Sequence, residues 1–259
     1  MAANDLTGAG FSEAEVRQFR QDGYVIVRGL ADRGRCAAMR ALAERDLAAE
    51  TAPLEYEADL QYPGAPPARD AEGGRTVRRL LQAYARDPLF RDWATSAPVA
   101  GRVKQLLGND ALLSQTHHNC VMTKHPRFSS VTGWHRDIRY WSFEREELVS
   151  VWLALGAERY GNGCLWLIPE SQRMEFARER LDDALFLRED VAENQALIAS
   201  RIEAELDAGD ALFFHCRLFH AAGRNQTADT KFSLVFTYHA ADNPPLAGTR
   251  SASAPGVAI

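Results

Sequence analysis

Apolar residues recur at helical spacing over much of the first part of the chain. Ser12 and Glu15 have the form of a capping box that begins a helix, and Gly23 is placed to end it. The β-branched and aromatic run Tyr24–Val27 predicts a short strand. Apolar recurrence returns in an Ala- and Leu-rich segment, 31–50, and predicts a second helix. Helical patterns also cover two later segments, 77–84 and 99–107.

Further along, the pattern changes to short apolar or alternating runs separated by Gly, Pro, Asn and Asp. Such runs are typical of the strands of an antiparallel sandwich or barrel. The runs with this character are 111–123, 148–155, 163–168, 211–218 and 231–239. Two stretches interrupt the regular patterns: a loop rich in Pro, Gly and acidic residues over 51–74, and a charged, helix-leaning insertion over 174–204.

These patterns predict a mainly β fold with a helical buttress. We expect a jelly roll preceded by N-terminal helices, all in one domain. The first ten residues and the Ala-, Ser- and Pro-rich segment 248–259 are expected to fray. The expected divisions of the single domain 1–259 are a helical part over about 1–110, a jelly-roll core over about 111–240, and a tail over 241–259.

Composition and charge exclude several classes of partner. The chain has 259 residues, 46% of them hydrophobic and 25% charged, which is ordinary for a soluble globular protein. Its formal net charge of -5 gives no basic footprint for nucleic acid or an acidic membrane surface. No apolar run approaches the roughly 20 residues of a membrane span, and the first residues do not resemble a secretion signal. We therefore expect a cytoplasmic protein without nucleic-acid or membrane partners, and the oligomeric state stays open.

The sharpest local feature is the pair His135 and Asp137. Residues i and i+2 of a strand share a face, so these two side chains can converge on one ion while Arg136 points away. A neutral imidazole and a carboxylate suit a divalent metal, and a second histidine would complete the facial triad of non-haem Fe(II) oxygenases. Taken alone, the pair is more often an ordinary feature of a surface strand.

A second histidine is available at the end of the apolar run that begins with Gly209. The turn-forming Gly209 and Asp210 precede a buried strand that ends in His220. His215 is the competing candidate, but in a regular strand it lies on the face opposite to His220. We therefore predict His220 as the third metal ligand and treat His215 as a hydrogen-bonded histidine of the core or rim.

Polar and large apolar residues alternate along 231–239, so Lys231, Ser233 and Thr237 share one face. A lysine inside a barrel needs an anion, because an unpaired buried ammonium is costly. The distal carboxylate of 2-oxoglutarate would supply that anion. The alternative is an exposed lysine on a strand edge, where lysine discourages aggregation.

Across most of its length the chain resembles the phytanoyl-CoA dioxygenase family. Its likeness begins in 19–29, which resembles the family's opening helix and strand, and continues through the metal-binding motif in 132–137. Three further segments extend it in the same order: 150–155, 162–169 and 209–220. Ordered motifs at compatible spacing are specific, whereas any one of them alone is not.

This resemblance implies a double-stranded β-helix, the cupin-like jelly roll, that binds Fe(II) and uses 2-oxoglutarate and O2. His135, Asp137 and His220 would be the iron ligands. Trp152 lies where the family has a residue lining the co-substrate pocket. The less secure equivalents of further co-substrate contacts are Arg78 and Cys120.

Two positions depart from the family pattern. The family places an arginine eleven residues after the distal histidine, where this chain has Lys231, and a lysine offers a point charge rather than a two-pronged fork. We expect Lys231, assisted by Ser233, to hold the distal carboxylate of 2-oxoglutarate. Arg224 in the preceding loop is the alternative. The other departure is Ala222, where a hydroxyl residue is frequent.

The implied reaction is hydroxylation of a small organic substrate, with release of succinate and CO2. One alternative is a cupin-type metal enzyme that does not use 2-oxoglutarate. The other is a catalytically silent jelly-roll binding protein, which the change from Arg to Lys makes conceivable. The segments 51–74 and 174–204 are expected to lie over the mouth of the pocket and set specificity. The substrate stays open, because members of the family with very similar motifs act on amino acids, phosphonates and natural products.

Overall fold

A computed structural model of the chain describes residues 10–60, 62–108 and 110–259. Most of the N-terminal segment that was expected to fray lies outside these residues. The helices are α1 Glu13–Asp22, α2 Arg33–Ala48, α3 Glu57–Leu60, α4 Ala83–Arg86, α5 Pro88–Ala94, α6 Ala97–Leu107 and α7 Ala192–Ala199. The strands are β1 Tyr24–Val27, β2 Leu54–Tyr56, β3 Val77–Leu81, β4 Ala111–Leu113, β5 Asn119–Lys124, β6 Thr132–His135, β7 Leu148–Ala154, β8 Leu165–Leu167, β9 Ile202–Ala204, β10 Ala211–His215, β11 His220–Ala222, β12 Lys231–Ala240 and β13 Val257–Ala258.

Two antiparallel sheets form the jelly roll. In the major sheet the strands follow the order β1-β10-β7-β12-β5-β3-β2, and β4 joins it by pairing with β12 and β13. The minor sheet has the order β6-β11-β8-β9. One apolar cluster contains Trp152 and Val235 from the major sheet together with Leu165 and Leu167 from the minor sheet, so the sheets pack face to face.

The helices cover the outer face of the major sheet. Phe213, Phe232 and Phe236 from the strands share a hydrophobic core with Met39 of α2 and Trp93 of α5. Because side chains alternate along a strand, β12 sends its large apolar residues to this core and its polar residues into the jelly roll. The predicted mainly β fold with a helical buttress is therefore confirmed.

The first helix, α1, begins at the predicted capping box and ends at the predicted glycine. Ser12 accepts a hydrogen bond from the Glu15 amide, and the Glu15 carboxylate accepts one from the Ser12 amide. Gly23 ends the helix with a φ of 83°, a left-handed conformation that glycine adopts without steric cost. Phe19 is the residue of this helix that is buried in the core.

Four predictions about elements were wrong. The segment 77–84 is not a helix, because its first residues form β3 and only its end enters α4. The insertion 174–204 contains a helix, α7, as its pattern indicates, but its end was wrongly included, because Ile202–Ala204 is β9, a strand of the minor sheet. The run 211–220 is two strands rather than one. The tail is ordered, since Val257–Ala258 pairs with β4 and Ile259 packs against the main core.

No helix in the described part of the chain combines the length and apolar character that crossing a bilayer requires.

Candidate metal centre

Two strands of the minor sheet and one short helix bring three metal-binding side chains together. His135 ends β6 and His220 begins β11, and the two residues are paired in register across the ladder. Asp137 begins the 3-10 helix Asp137–Tyr140, which turns the chain directly after β6. The structure thus brings His135 and Asp137 together through a turn, rather than through two positions on one strand.

The three side chains form a compact buried cluster. Their ligand atoms all lie within 4.8 Å of one another. Asp137 Oδ1 is 3.8 Å from His135 Nε2 and 3.6 Å from His220 Nε2. This oxygen is buried and has no hydrogen-bond donor. A buried carboxylate oxygen without a donor is costly, so it favours a bound cation.

Backbone contacts leave the facing nitrogen of each imidazole free for a metal. His135 Nδ1 donates to the Gly133 carbonyl at 2.9 Å, and His220 Nδ1 donates to the Leu218 carbonyl at 3.0 Å. A carbonyl can only accept, so the proton resides on Nδ1 and the lone pair on Nε2. Such second contacts fix the orientation of histidine ligands in metal sites.

The protonation states also suit a divalent cation. Burial holds the pKa of His135 well below its ordinary value, and His220 lowers it further. Burial alone would raise the pKa of Asp137, but His118, His220 and His135 together hold it below the ordinary value. These shifts favour a neutral His135 beside an ionised Asp137, the forms in which these side chains bind metal. These three residues fit Fe(II) as a facial triad.

The second oxygen of Asp137 is held from the side of the major sheet. Ser150 Oγ on β7 donates to Asp137 Oδ2 at 3.4 Å. His118 Nδ1 lies 3.5 Å from the same oxygen, and burial lowers the pKa of this histidine to about 4. These contacts orient the carboxylate so that Oδ1 faces the two imidazoles. The sequence pattern gave no reason to assign either residue this role.

His215 does not join the cluster. It ends β10 in the major sheet, where its Nδ1 accepts a hydrogen bond from the Arg217 amide at 3.1 Å and its ring lies 6.3 Å from that of Phe19. The chain leaves the major sheet after His215 and enters the minor sheet at His220. This change of sheet, rather than opposite faces of one strand, separates the two histidines.

A cavity between the sheets adjoins the metal-binding cluster. It is lined by His135 and His220 together with Trp152, Lys124 and Lys231. All five side chains are buried. A cavity that contains metal ligands, an aromatic ring and two ammonium groups is suited to a small molecule with an anionic end.

Lys231, which lines this cavity, already has a carboxylate partner. Its Nζ donates to Glu158 Oε2 at 2.7 Å and to Ser233 Oγ at 3.3 Å. Glu158 Oε1 accepts from Ser233 Oγ at 2.6 Å and from Trp152 Nε1 at 2.9 Å. Glu158 is fully buried. Glu158 was not predicted from the sequence, although a buried lysine requires a counter-charge.

The other predicted co-substrate residues lie in different surroundings. Arg78 on β3 lines the cavity and pairs with the buried Glu57 at 3.1 Å. Cys120 on β5 packs in the same apolar cluster between the sheets as Trp152. Arg224 is exposed, with its guanidinium against Gly64.

Aromatic side chains from three segments lie around the metal-binding cluster. The ring of Phe186, from the 174–204 insertion, is 5.7 Å from the ring of His135, and the ring of Tyr140 is 6.2 Å from it. Tyr62, from the 51–74 loop, has its hydroxyl 2.7 Å from that of Tyr140. Arg139 lies over the Phe186 ring at 4.0 Å. The two segments expected over the mouth thus each contribute an aromatic residue near the cluster.

Comparison with known proteins identifies relatives of the whole architecture. The profile of the phytanoyl-CoA dioxygenase (PhyH) family matches residues 19–233. A probable phytanoyl-CoA dioxygenase from Caenorhabditis elegans is 24% identical over 163 residues, which are 60% of this chain and 52% of that protein. The chain thus matches about half of that relative's length. An ectoine dioxygenase from Stutzerimonas stutzeri is 24% identical over 258 residues, 93% of this chain and 80% of that protein.

Solved structures share the fold at low sequence identity. EctD from S. alaskensis with 2-oxoglutarate and 5-hydroxyectoine has a TM-score of 0.75 at 19% identity, covering 95% of this chain and 81% of that chain. The epimerase SnoN in complex with Fe3+, alpha ketoglutarate and nogalamycin RO has a TM-score of 0.73 at 23% identity, covering 95% and 94%. The jelly roll of this chain is therefore the cupin-like fold of these enzymes.

The family profile spans most of the chain and includes β6 and β11, the strands that carry the two histidines. The chain therefore belongs to the phytanoyl-CoA dioxygenase family, and His135, Asp137 and His220 form its candidate metal site.

Proposed function

We propose that this protein hydroxylates a small organic molecule, with 2-oxoglutarate and O2 as co-substrates and succinate and CO2 as products. The observation that supports it most is Asp137 Oδ1, a buried oxygen without a donor that faces the free Nε2 atoms of His135 and His220. When bound, Fe(II) would supply oxidative chemistry in which one oxygen atom of O2 enters the substrate and the other enters succinate. Oxidative decarboxylation of 2-oxoglutarate and oxidation of the substrate C–H bond together provide the electrons that reduce O2.

The residues of this chain would position the reactants and keep water out. His135, Asp137 and His220 would hold the iron on one side and leave the remaining positions to the co-substrates. In this proposal Lys231 and Ser233 bind the distal carboxylate of 2-oxoglutarate, and Trp152 forms a wall of the pocket. Arg78 and Cys120 are proposed as further contacts in the walls, and Arg224 stays the alternative to Lys231.

The substrate would approach between the aromatic residues around the cluster. Tyr62, Tyr140 and Phe186 come from different segments, so their rings and hydroxyls would together set specificity. The guanidinium of Arg139, over the ring of Phe186, adds a cation beside these aromatic residues. A similar protein is an ectoine dioxygenase, and the similar structure of SnoN contains nogalamycin RO, which supports a small molecule here without selecting one.

The test is a screen of small metabolites for substrate-stimulated succinate formation. The purified protein, with Fe(II) and 2-oxoglutarate, should form succinate faster when its substrate is present, and the product should gain one oxygen atom by mass spectrometry. Asp137→Ala is the matched control, because a shell with two remaining ligands should hold iron poorly while the apolar core stays packed. His135→Ala should behave in the same way.

The alternatives predict different results. A metal enzyme that does not use 2-oxoglutarate would transform a metabolite without forming succinate. A silent binding protein would bind a ligand and yet release no succinate with any compound. Wild-type turnover by Asp137→Ala or His135→Ala would contradict the iron-dependent reaction itself.

A further inference from the structure

A second lysine, Lys124, lies beside Lys231 in the cavity. The two are partners in register on the adjacent antiparallel strands β5 and β12, so their side chains leave the sheet on the same face. Each is 7% exposed and lines the cavity with the metal-binding histidines. Like charges directly opposite each other destabilise a sheet unless anions compensate them.

The charges in this part of the interior do not balance. Lys231 is paired with Glu158 at 2.7 Å, and Arg78 is paired with Glu57 at 3.1 Å. Arg79, which also lines the cavity, lies 3.1 Å from Glu55. Among the described residues, Lys124 is the cation of the lining with no carboxylate oxygen within 4.0 Å, so one positive charge is in excess among these side chains.

The surroundings of Lys124 provide little compensation for that charge. Its Nζ donates to the Ser130 carbonyl at 3.3 Å, which is a long contact. Burial lowers the pKa of Lys124 well below its ordinary value, and Arg78 and Lys231 lower it further. A buried ammonium with so few acceptors costs stability until an anion pairs with it.

Gly163, in the loop between β7 and β8, leaves room for the side chain of Lys124. A Cβ at Gly163 would come within 2.7 Å of Lys124 Cδ and Cε, and Gly163 also has a φ of 75°. Only glycine leaves this position open at that backbone conformation. The lysine stem therefore packs along the loop after β7, within the wall of the cavity.

We infer that Lys124 is a binding residue for the distal carboxylate of 2-oxoglutarate, acting beside Lys231. Lys231 brings hydrogen-bond donors but little net charge, because Glu158 neutralises it. Lys124 brings the uncompensated charge, and one carboxylate would balance the cavity. This inference rests on the proposed function, because it assigns one more residue to the same co-substrate.

The experiment compares two oxo acids that differ only at the distal end. Mn(II)-loaded full-length protein is titrated calorimetrically with 2-oxoglutarate and with 2-oxopentanoate, which carries a methyl group in place of the distal carboxylate. Lys124→Met should weaken 2-oxoglutarate binding by about tenfold to a hundredfold, the effect of losing one charge-assisted hydrogen bond. Its affinity for 2-oxopentanoate should stay within about twofold of wild type. Lys104→Met, the same change on the exposed side of α6, should alter neither affinity.

Thermal denaturation of the Mn(II)-loaded protein without oxo acid provides a second readout. Lys124→Met should be as stable as wild type or more stable, because it removes a buried cation that lacks a carboxylate partner. Wild type should then gain more stability than the variant when 2-oxoglutarate is added. A variant that loses stability without oxo acid would show that Lys124 is a structural residue and would overturn the inference.

The possible failures can be told apart. Equal affinity of Lys124→Met and wild type for 2-oxoglutarate overturns the role of Lys124 and leaves the proposed function intact. Parallel losses for both oxo acids also overturn it, because the effect would then not reside at the distal carboxylate. No binding of 2-oxoglutarate by the wild-type protein overturns the proposed function, and this inference with it.

Discussion

Lys231 and Glu158 form an ion pair deep in the interior, where an isolated charge would be costly. Both side chains are almost completely buried, and Ser233 and Trp152 satisfy the remaining carboxylate lone pairs. The family places an arginine at position 231, whose planar fork can hold a carboxylate through two bonds. A lysine is smaller and rotates freely, so it can donate to Glu158 and keep a third N–H for a ligand. Lys231 and Glu158 therefore stabilise each other, and a change to one of them leaves the other buried without its partner.

Replacing only the lysine should therefore reduce both stability and co-substrate binding. We expect Lys231→Ala to lower the free energy of unfolding by about 3–5 kcal/mol, because Glu158 stays buried without its partner. It should also weaken 2-oxoglutarate binding about tenfold to a hundredfold. Urea denaturation and calorimetric titration measure the two effects.

Two further variants separate these effects. Lys231→Met combined with Glu158→Leu removes the pair together, so it should recover most of the stability without recovering 2-oxoglutarate affinity. Arg224→Ala is the matched control for charge, since this arginine is exposed. A loss of affinity in Arg224→Ala alone would assign the distal carboxylate to the loop and would remove Lys231 from the binding site.

Most of the elements could be predicted because their patterns are local. The capping box of α1 and the alternation along β12 each depend on residues within one element, and the structure follows both. The break after His215 could not be predicted, because 211–220 is apolar apart from Arg217 and its two histidines, and no Gly, Pro, Asn or Asp marks where the chain changes sheets. Register and sheet membership depend on contacts between segments that are distant in sequence.

The strand β3 was mistaken for a helix for a related reason. Val77 and Leu80 have helical spacing, and arginine and leucine are good helix formers. In the structure this segment is held between β2 and β5, so pairing with neighbouring strands overrides local propensity. The short strand β13 was not predicted, because a strand of two residues has no periodic pattern of apolar and polar positions.

Phe186, in the insertion 174–204, lies beside the metal-binding cluster, with its ring 5.7 Å from that of His135. We expect Phe186→Ala to raise the KM for the substrate about tenfold or more, because a large apolar contact near His135 is lost. The KM for 2-oxoglutarate should stay within about twofold of wild type, since Phe186 does not line the cavity that contains Lys231. Both values can be measured once the succinate screen has identified a substrate.

Leu185→Ala is the matched control, because Leu185 is the exposed neighbour of Phe186 in the same segment. It should leave both KM values unchanged. An equal rise of the two KM values in Phe186→Ala would instead indicate that the insertion supports the whole pocket rather than the substrate side.

The molecule as a whole buries several histidines in neutral form, which makes its stability depend on pH. Burial lowers the pKa of His117 to about 3 and that of His118 and His215 to about 4. In the unfolded chain a histidine has a pKa of about 6.5. Between that value and the folded pKa, the unfolded state binds more protons, so stability is greatest above about pH 6.5 and falls as the pH decreases. The slope is about 1.4 kcal/mol per pH unit for each such histidine.

His215 allows this dependence to be tested away from the metal ligands. Asparagine can replace the Nδ1 atom as acceptor for the Arg217 amide, yet it does not titrate. Between pH 6.5 and pH 5, wild type should lose about 2 kcal/mol more stability than His215→Asn. In this range His215 binds a proton in the unfolded chain but not in the folded one, whereas asparagine binds none in either state. Urea denaturation of the metal-free protein at pH 8, 7, 6 and 5 measures the difference. Above pH 7.5 the gap between the two proteins should be constant, whereas a gap that stays constant down to pH 5 would mean that His215 is protonated as readily in the folded chain as in the unfolded one.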